Sequence, residues 1–333
     1  MLNFALFGAG RIGAMHGANI AANPGARLHS VFDVNTALAE SVAAAHGAKV
    51  AASAGAIMAD HAIDAVFVAS STPTHVDLIT AAVRAGKPVL CEKPIDLDIK
   101  RVEQCKRDIA GSDVPVQIGF NRRYDATLRE MHDAVRRGDI GQLQMLVLSS
   151  RDPDIAPMDY MRVSGGIFRD CTIHDFDYAR YVLGEDPVEV IATGSVMVEP
   201  QLREIGDVDT AMVILKAPSG ALVHINNSRR AVYGFDQRVE AFGSKGMLQS
   251  ENFHATHLRR WSPAVTNSYD KPVPFFFQRY ADAYVRELNE FITLIHSKAA
   301  PVASFEDGRR SLIIADAAWE SLRTGRTVRI SYD

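Results

Sequence analysis

The chain has 333 residues, 47% of them hydrophobic and 23% charged, which is enough for two domains with separate cores and is typical of a soluble globular protein. A formal net charge of −4 without a clustered Lys/Arg tract argues against nucleic acid or an anionic membrane as partner, and three widely spaced cysteines (Cys91, Cys105, Cys171) form neither a disulfide framework nor a zinc pattern. The start MLNFALFGAG lacks the basic region of a signal peptide, and no segment approaches ~18 uninterrupted apolar residues, so a cytoplasmic enzyme or binding protein is expected.

Residues 2–7, LNFALF, read as a strand buried on both faces. GAGRIG follows at once and sets Gly8, Gly10 and Gly13 in the G-x-G-x-x-G spacing, with Ala9, Arg11 and Ile12 between them. A helical pattern, RIGAMHGANIAA, comes next, and a second apolar run, LHSVFD, ends in Asp33. Gly8 permits the tight turn, Gly10 lets the backbone approach a pyrophosphate, and Gly13 lets helix and strand pack closely. The helix N-terminus offers unpaired N–H groups and partial positive charge to the phosphates. Asp33, 20 residues beyond Gly13, is placed to accept hydrogen bonds from ribose hydroxyls. Its carboxylate would repel a 2′-phosphate and no arginine follows in DVNTAL, so NAD is expected in preference to NADP.

The alternation continues with strands at AVFVAS (65–70), PVLCEKP (88–94) and VPVQIGF (114–120), separated by the helical TPTHVDLITAAVRAG and DIKRVEQCKRDIAG. Such repetition predicts a doubly wound parallel sheet whose ligand lies at the carboxyl ends of the strands. Ser70, Ser71, Thr72, His75, Glu92, Lys93 and Asn121 all fall at or near that edge. Ser71 and Thr72 equally suit helix capping.

After Asn121 the rhythm changes, which sets the expected boundary between a dinucleotide-binding domain, 1–121, and a substrate-binding and oligomerisation domain, 122–333. A helix at YDATLREMHDAVRRG leads into QLQMLVLSSRD, and then into SGGIFRDCTIHDFDYARYVLG (164–184), read as one helix opening after a glycine pair. At roughly 100° per residue its Asp170, His174, Asp177 and Tyr181 share one stripe. Strand-like runs without intervening helices follow: VEVIATGSVMV, DTAMVILKA, ALVHINNSRRAV and QRVEAFGS, with turn signals at APSG and GSKG. They predict a single antiparallel sheet, with helices near 279–296 and 306–323 closing the chain. One sheet face should meet helices and the other a second subunit.

Three pieces are expected to share one cleft: Lys93, the Asp170/His174/Asp177 ridge and SSRDPD (149–154). Oxidation of an alcohol removes the hydroxyl proton while hydride leaves the same carbon, and this requires a base of near-neutral pKa, naturally histidine. Asp170 can orient the imidazole or bind the hydroxyl, and Lys93 supplies positive charge where alkoxide character develops. A packed histidine at 174 and a structural Lys93 before Pro94 are the plainer alternatives. The D-x-x-x-H-x-x-D spacing also suits a divalent ion, but no second His/Cys cluster supports one and hydride transfer needs none.

GAGRIG, CEKP, GFNRRYD, SSRDP, GGIFRDCTIHDFDYARYVLG and VYGFDQRVEAFGSKG together resemble the glucose–fructose oxidoreductase/inositol dehydrogenase (Gfo/Idh/MocA) family, and within it bacterial inositol 2-dehydrogenases, over nearly the whole chain. The resemblance implies an N-terminal Rossmann domain and a C-terminal α/β domain on a large, mostly antiparallel open sheet. It also implies catalytic roles for Lys93, Asp170 and His174, and puts Asp152, Asp177, Tyr233 and Tyr280 near the polyol. A homotetramer or dimer through the sheet is implied too. The expected reaction takes myo-inositol to 2-keto-myo-inositol (scyllo-inosose), with NAD along Gly8–Gly13 and Asp33, and His174 as base. Phe235 stands where inositol-acting relatives often carry tyrosine, and Cys171 where methionine is frequent. The alternatives are a dehydrogenase of another inositol isomer or of an aldose, and a dinucleotide-sensing protein without chemistry.

Overall fold

The computed structural model describes residues 1–333, which divide into two compact units: 1–124 with 282–310, and 125–281 with 311–333. The chain therefore crosses between units after Tyr124 rather than after Asn121. Residues 282–310, expected within a continuous 122–333 domain, group with the first unit.

The first unit runs β1 (Leu2–Phe7), α1 (Arg11–Ala22), β2 (Ala26–Phe32), α2 (Thr36–His46), β3 (Lys49–Val50), α3 (Ala54–Ala59), β4 (Ala65–Val68), α4 (His75–Arg84), β5 (Val89–Cys91), α5 (Ile99–Asp108) and β6 (Val116–Ile118). The six strands form one sheet in the order β3-β2-β1-β4-β5-β6, with every pair parallel. β1 and β4 lie at its centre, and their buried apolar runs, residues 4–7 and 65–68, are what burial on both faces demands. The strand order reverses beside β1, so the loops after β1 and β4 diverge and open the crevice where such sheets take ligands. β3 was not anticipated: it is two residues long, exposed, and too short to carry a pattern.

The second unit begins with α6 (Ala126–Arg137) and β7 (Leu143–Arg151), then α7 (Met158–Met161), α8 (Ile167–Asp170) and α9 (Ile173–Leu183). The strands β8 (Glu189–Ser195), β9 (Thr210–Lys216), β10 (Leu222–Ser228), β11 (Asp236–Gly243) and β12 (Gly246–Ser250) follow. A short ribbon of β13 (Arg259–Arg260) and β14 (Ser268–Tyr269) precedes α10 (Phe276–Arg279). α11 (Ala281–Ser297) packs Leu288, Phe291 and Leu294 into the core that Phe4, Leu6 and Leu28 build in the first unit. α12 (Phe305–Thr324) and β15 (Val328–Arg329) end the chain.

The second sheet has seven strands in the order β12-β11-β7-β10-β9-β8-β15. It is antiparallel except where β7 inserts between β10 and β11 and runs parallel to β10. Strict alternation in β9 and β10 sends Ala211, Val213, Leu215, Val223 and Ile225 inward. α9 lies against β7 on that inner face, and α12 joins it: Trp319 meets Phe168 edge-on at 4.9 Å, and Ser321 Oγ accepts the Ala192 N–H at 2.9 Å. The opposite face carries Met145, Ile191, Met212, Ile214, Leu222, Phe242 and Met247, all more than a third exposed. No helix is long and apolar enough to cross a membrane.

Candidate active site

The glycine loop after β1 has the geometry its sequence demands. Gly8 sits at φ +91°, where a side chain would also run into the Ala69 backbone, and a Cβ on Gly13 would strike the Gly8 carbonyl. Gly10 caps α1 with no side-chain bond, a Cβ there would meet nothing, and the first turn holds no acidic residue. The start of α1 is therefore uncapped, with open space beside Gly10, as a pyrophosphate cradle requires. Arg11 is exposed and Ile12 half-buried within that turn, while Ala9 is buried. Asp33 closes the loop: its carboxylate accepts the Ala9 N–H at 2.6 Å and the Asn35 N–H at 2.8 Å. Asn121, buried at the end of β6, has a side-chain oxygen with no hydrogen-bond partner, as expected of a polar group awaiting a ligand. These residues fit a dinucleotide.

Along the same edge Ser70 Oγ meets Thr74 Oγ1 at 2.6 Å, Ser71 is exposed, and half-buried Thr72 opens a short 3-10 turn. His75 is 1% exposed, and its nitrogens already meet backbone carbonyls, Nδ1 that of Pro94 at 2.8 Å and Nε2 that of Ser70 at 2.9 Å. It therefore stands behind the edge rather than on it. Burial pulls its pKa down, opposed by those carbonyls and by the Glu92 and Asp96 charges. Glu92 bonds His16 at 2.9 Å, and Lys93 is half-buried before a cis peptide to Pro94.

In the second unit the polar ridge is not one helix. α8 ends at Asp170 and α9 begins at Ile173, the join being marked by a Thr172 N–H that reaches back to the Ile167 carbonyl. Asp170 thus ends a single turn and His174 opens the next helix, half-buried. Asp177 faces inward at 1% exposure, and half-buried Tyr181 stacks on His132 at 3.7 Å.

Asp170 is held from two sides. Tyr160 donates its hydroxyl to Oδ1 at 2.7 Å, and buried Arg229 donates to Oδ2 at 3.1 Å. Arg229 also touches Cys171 Sγ at 3.4 Å and pairs with Asp207 at 3.6 Å, and the Cys171 thiol reaches Asp152 at 3.4 Å. Burial pushes the Asp207 carboxyl up against the opposing Arg229 charge, and burial next to Asp170 pushes the Tyr160 phenol up. Beneath them buried Asp175 accepts Ser150 Oγ at 2.6 Å and the Asn227 amide at 2.8 Å, and Asn227 Oδ1 takes the Thr172 hydroxyl at 2.7 Å. These bonds lock the α8–α9 join to β7 and β10.

Sequence reasoning missed Arg229, Tyr160 and Asp175. The signal for Arg229 was weak, an arginine ending an otherwise strand-like ALVHINNSRRAV, and the bond from Tyr160 spans a loop. Of the residues expected near substrate, Tyr233 donates its hydroxyl to buried Asp236 at 2.6 Å and accepts from Arg151 at 3.0 Å. Tyr280 is buried against Phe235, its hydroxyl 3.4 Å from Gln237. No group of three or more His, Cys, Asp or Glu side chains is arranged to hold a metal ion.

Comparison with known proteins identifies the family. The family described as "Oxidoreductase family, NAD-binding Rossmann fold" (GFO/IDH/MocA) matches residues 2–120, and the GFO/IDH/MocA C-terminal domain matches residues 128–249. The chain is 43% identical over 332 residues to the inositol 2-dehydrogenase of Rhizobium meliloti (strain 1021), covering 99% of each. It is similar to the crystal structure of a myo-inositol dehydrogenase from Corynebacterium glutamicum ATCC 13032, at 46% identity and a TM-score of 0.96 over 99% of both chains. The scyllo-inositol dehydrogenase from Lactobacillus casei with bound NAD(H) and scyllo-inositol superposes with a TM-score of 0.91 at 27% identity, covering 99% of both chains. The chain belongs to the GFO/IDH/MocA family of oxidoreductases, with an NAD-binding Rossmann domain followed by that family's C-terminal domain.

Proposed function

We propose that this enzyme oxidises a cyclic polyol, myo-inositol in the first place, to the ketone 2-keto-myo-inositol. The observation that carries the reading is the near-full-length likeness to an inositol 2-dehydrogenase, at 43% identity. NAD+, held by Gly8–Gly13 and Asp33 with Ser70, Ser71, Thr72, Glu92 and Asn121 along the edge, supplies the hydride acceptor. His174 takes the hydroxyl proton as the C–H bond breaks, Lys93 stabilises developing alkoxide charge, and Asp170 orients the reacting hydroxyl. Arg229 and Tyr160 support this by holding Asp170 in one direction. Asp152 and Tyr233 bind further hydroxyls, with Asp177 and Tyr280 behind them.

Phe235 favours a second reading, oxidation of another inositol isomer or of an aldose. Its ring packs edge-on against Phe275 and Tyr280 and offers no hydrogen bond, and a site lacking one polar partner discriminates less strongly. A panel of inositol isomers and aldoses with NAD+ or NADP+, read by reduced-cofactor absorbance, separates these. The expected result is the highest kcat/KM for myo-inositol with NAD+, and roughly 10-fold or more loss with NADP+, for which Asp33 would have to accept a phosphate. Preference for an aldose would establish the second reading, and no reduction with any polyol would leave a dinucleotide sensor.

The apolar outer face of the seven-stranded sheet supports a homo-oligomer, a dimer or tetramer, formed through that sheet. Three free cysteines, two of them buried, suit a reducing compartment such as the cytoplasm.

A further inference from the structure

Two buried histidines hold the segment that carries Lys93, one from each side. His16 lies on α1, 1% exposed, its Nε2 2.9 Å from Glu92 Oε1, with its ring 4.0 Å from Phe67 and 5.3 Å from Tyr284. The other Glu92 oxygen accepts the Lys93 N–H at 3.3 Å. Gly119 leaves this carboxylate its room, since a Cβ there would stand 3.2 Å from Oε2. On the far side His75 Nδ1 meets the Pro94 carbonyl at 2.8 Å, while its Nε2 meets Ser70. Three consecutive residues, Glu92, Lys93 and Pro94, are thus tied to α1 and α4 through imidazoles that solvent does not reach.

Buried polar pairs of this kind stabilise no better than apolar packing of the same volume, so they call for a positional explanation. Lysine has a long, flexible stem, and the backbone beneath it sets where the stem departs. A misplacement of about 1 Å at a reacting group can cost on the order of 10²-fold in rate. His16 has a second connection, because it stands on the helix whose first turn faces the dinucleotide phosphates.

We propose that His16 and His75 are positioning residues: together they clamp the Glu92–Lys93–Pro94 backbone so that Lys93 leaves the strand end in one direction, and His16 couples phosphate binding at α1 to that clamp. The proposal rests on the role given to Lys93 in the polyol reaction.

The test uses the full-length protein with reductively 13C-methylated lysines, the Lys93 resonance being assigned by its loss in Lys93→Arg. His16→Phe and His75→Phe fill the space without a donor, whereas His16→Gln and His75→Asn keep a side-chain N–H. Where a Phe variant does not fold, the Leu variant of the same histidine takes its place. The Phe variants are expected to lose roughly 10–100-fold in kcat, with KM for the polyol and NADH affinity by fluorescence within about threefold of wild type. The Gln and Asn variants should recover most of that loss. The Lys93 resonance should move in the Phe variants and stay in the Gln and Asn ones, and the shift that NAD+ causes in wild type should be smaller in His16→Phe. Wild-type kcat with an unmoved resonance in the Phe variants would overturn the clamp, as would equal damage in donor-bearing and donor-free variants. If the wild type oxidises no polyol, the functional reading fails alone, and the resonance still decides the clamp.

Discussion

At the scale of single residues, Arg229 is the group that sequence reading would least expect to matter and that the structure makes central. Its guanidinium is buried beside Asp170, Asp207 and Cys171, so removing it takes the cationic partner from two carboxylates and loosens the hold on Asp170. Arg229→Met is expected to lower kcat by roughly 10–100-fold, and Arg229→Lys, which keeps the charge but not the fork, to recover only part of it. Steady-state kinetics of the two variants, alongside their melting temperatures, checks this. Turnover unchanged in Arg229→Met would remove Arg229 from the account.

Glu287 offers a residue-scale prediction about stability. It is fully buried on α11, both carboxyl oxygens lack a hydrogen-bond partner, and burial together with the Glu92 and Glu290 charges pushes its pKa well above the ordinary value. The folded state therefore keeps a proton that the unfolded chain gives up. Stability falls as pH rises from the ordinary carboxyl pKa to the folded one, by up to about 1.4 kcal/mol per pH unit. Glu287→Gln abolishes that loss. Its melting temperature should exceed wild type's at about pH 8 and match it near about pH 4, and a gain independent of pH would contradict the assignment.

At the scale of elements, the polar stripe of residues 164–184 was legible in outline, but the break within it was not. Asp170 and His174 do come from neighbouring turns, as the spacing suggested, yet the Thr172 N–H turns back to the Ile167 carbonyl and ends the first turn. Gly166 sets where that turn begins. Its φ of +80° with ψ of 177° is open to glycine almost alone, and a Cβ would strike Trp319 and Asp207. Gly166→Ala should cost about 2–3 kcal/mol, read as a lower denaturation midpoint, and should reduce kcat because Asp170 ends the same turn. A midpoint equal to wild type's would show that the α8 start is not strained in this way.

At the scale of the whole molecule, the alternation of strands and helices up to residue 120 was readable where strands such as β4, β5 and β6 are buried throughout and show as apolar runs, and not at the exposed, two-residue β3. The later strands were recognisable by period, but their order was not. Nothing local in QLQMLVLSSRD says that it slots between β10 and β11, because pairing between distant segments leaves no short-range mark. For the same reason the return of 282–310 to the first unit was invisible: Leu288, Phe291 and Leu294 give a helical stripe without naming its partner. The outer sheet face gives a prediction at this scale. Ile214→Glu, in the middle of that face, is expected to shift the mass measured by light scattering from an oligomer towards the monomer, with each unit still folded. A wild-type protein that is monomeric at all concentrations would refute the association.

The central claim is that Lys93, His174 and NAD+ act on one hydroxyl of one polyol. The measurement that tests it most directly is myo-inositol-dependent NADH formation by Lys93→Ala, His174→Ala and the double variant, with NAD+ affinity measured in parallel. Each single variant should lose roughly 10²–10⁴-fold in kcat while NAD+ still binds, and the double should lose little more than the worse single, because proton removal by His174 and charge stabilisation by Lys93 act as a unit on one hydroxyl. Wild-type turnover in His174→Ala, or losses that simply multiply, would contradict it.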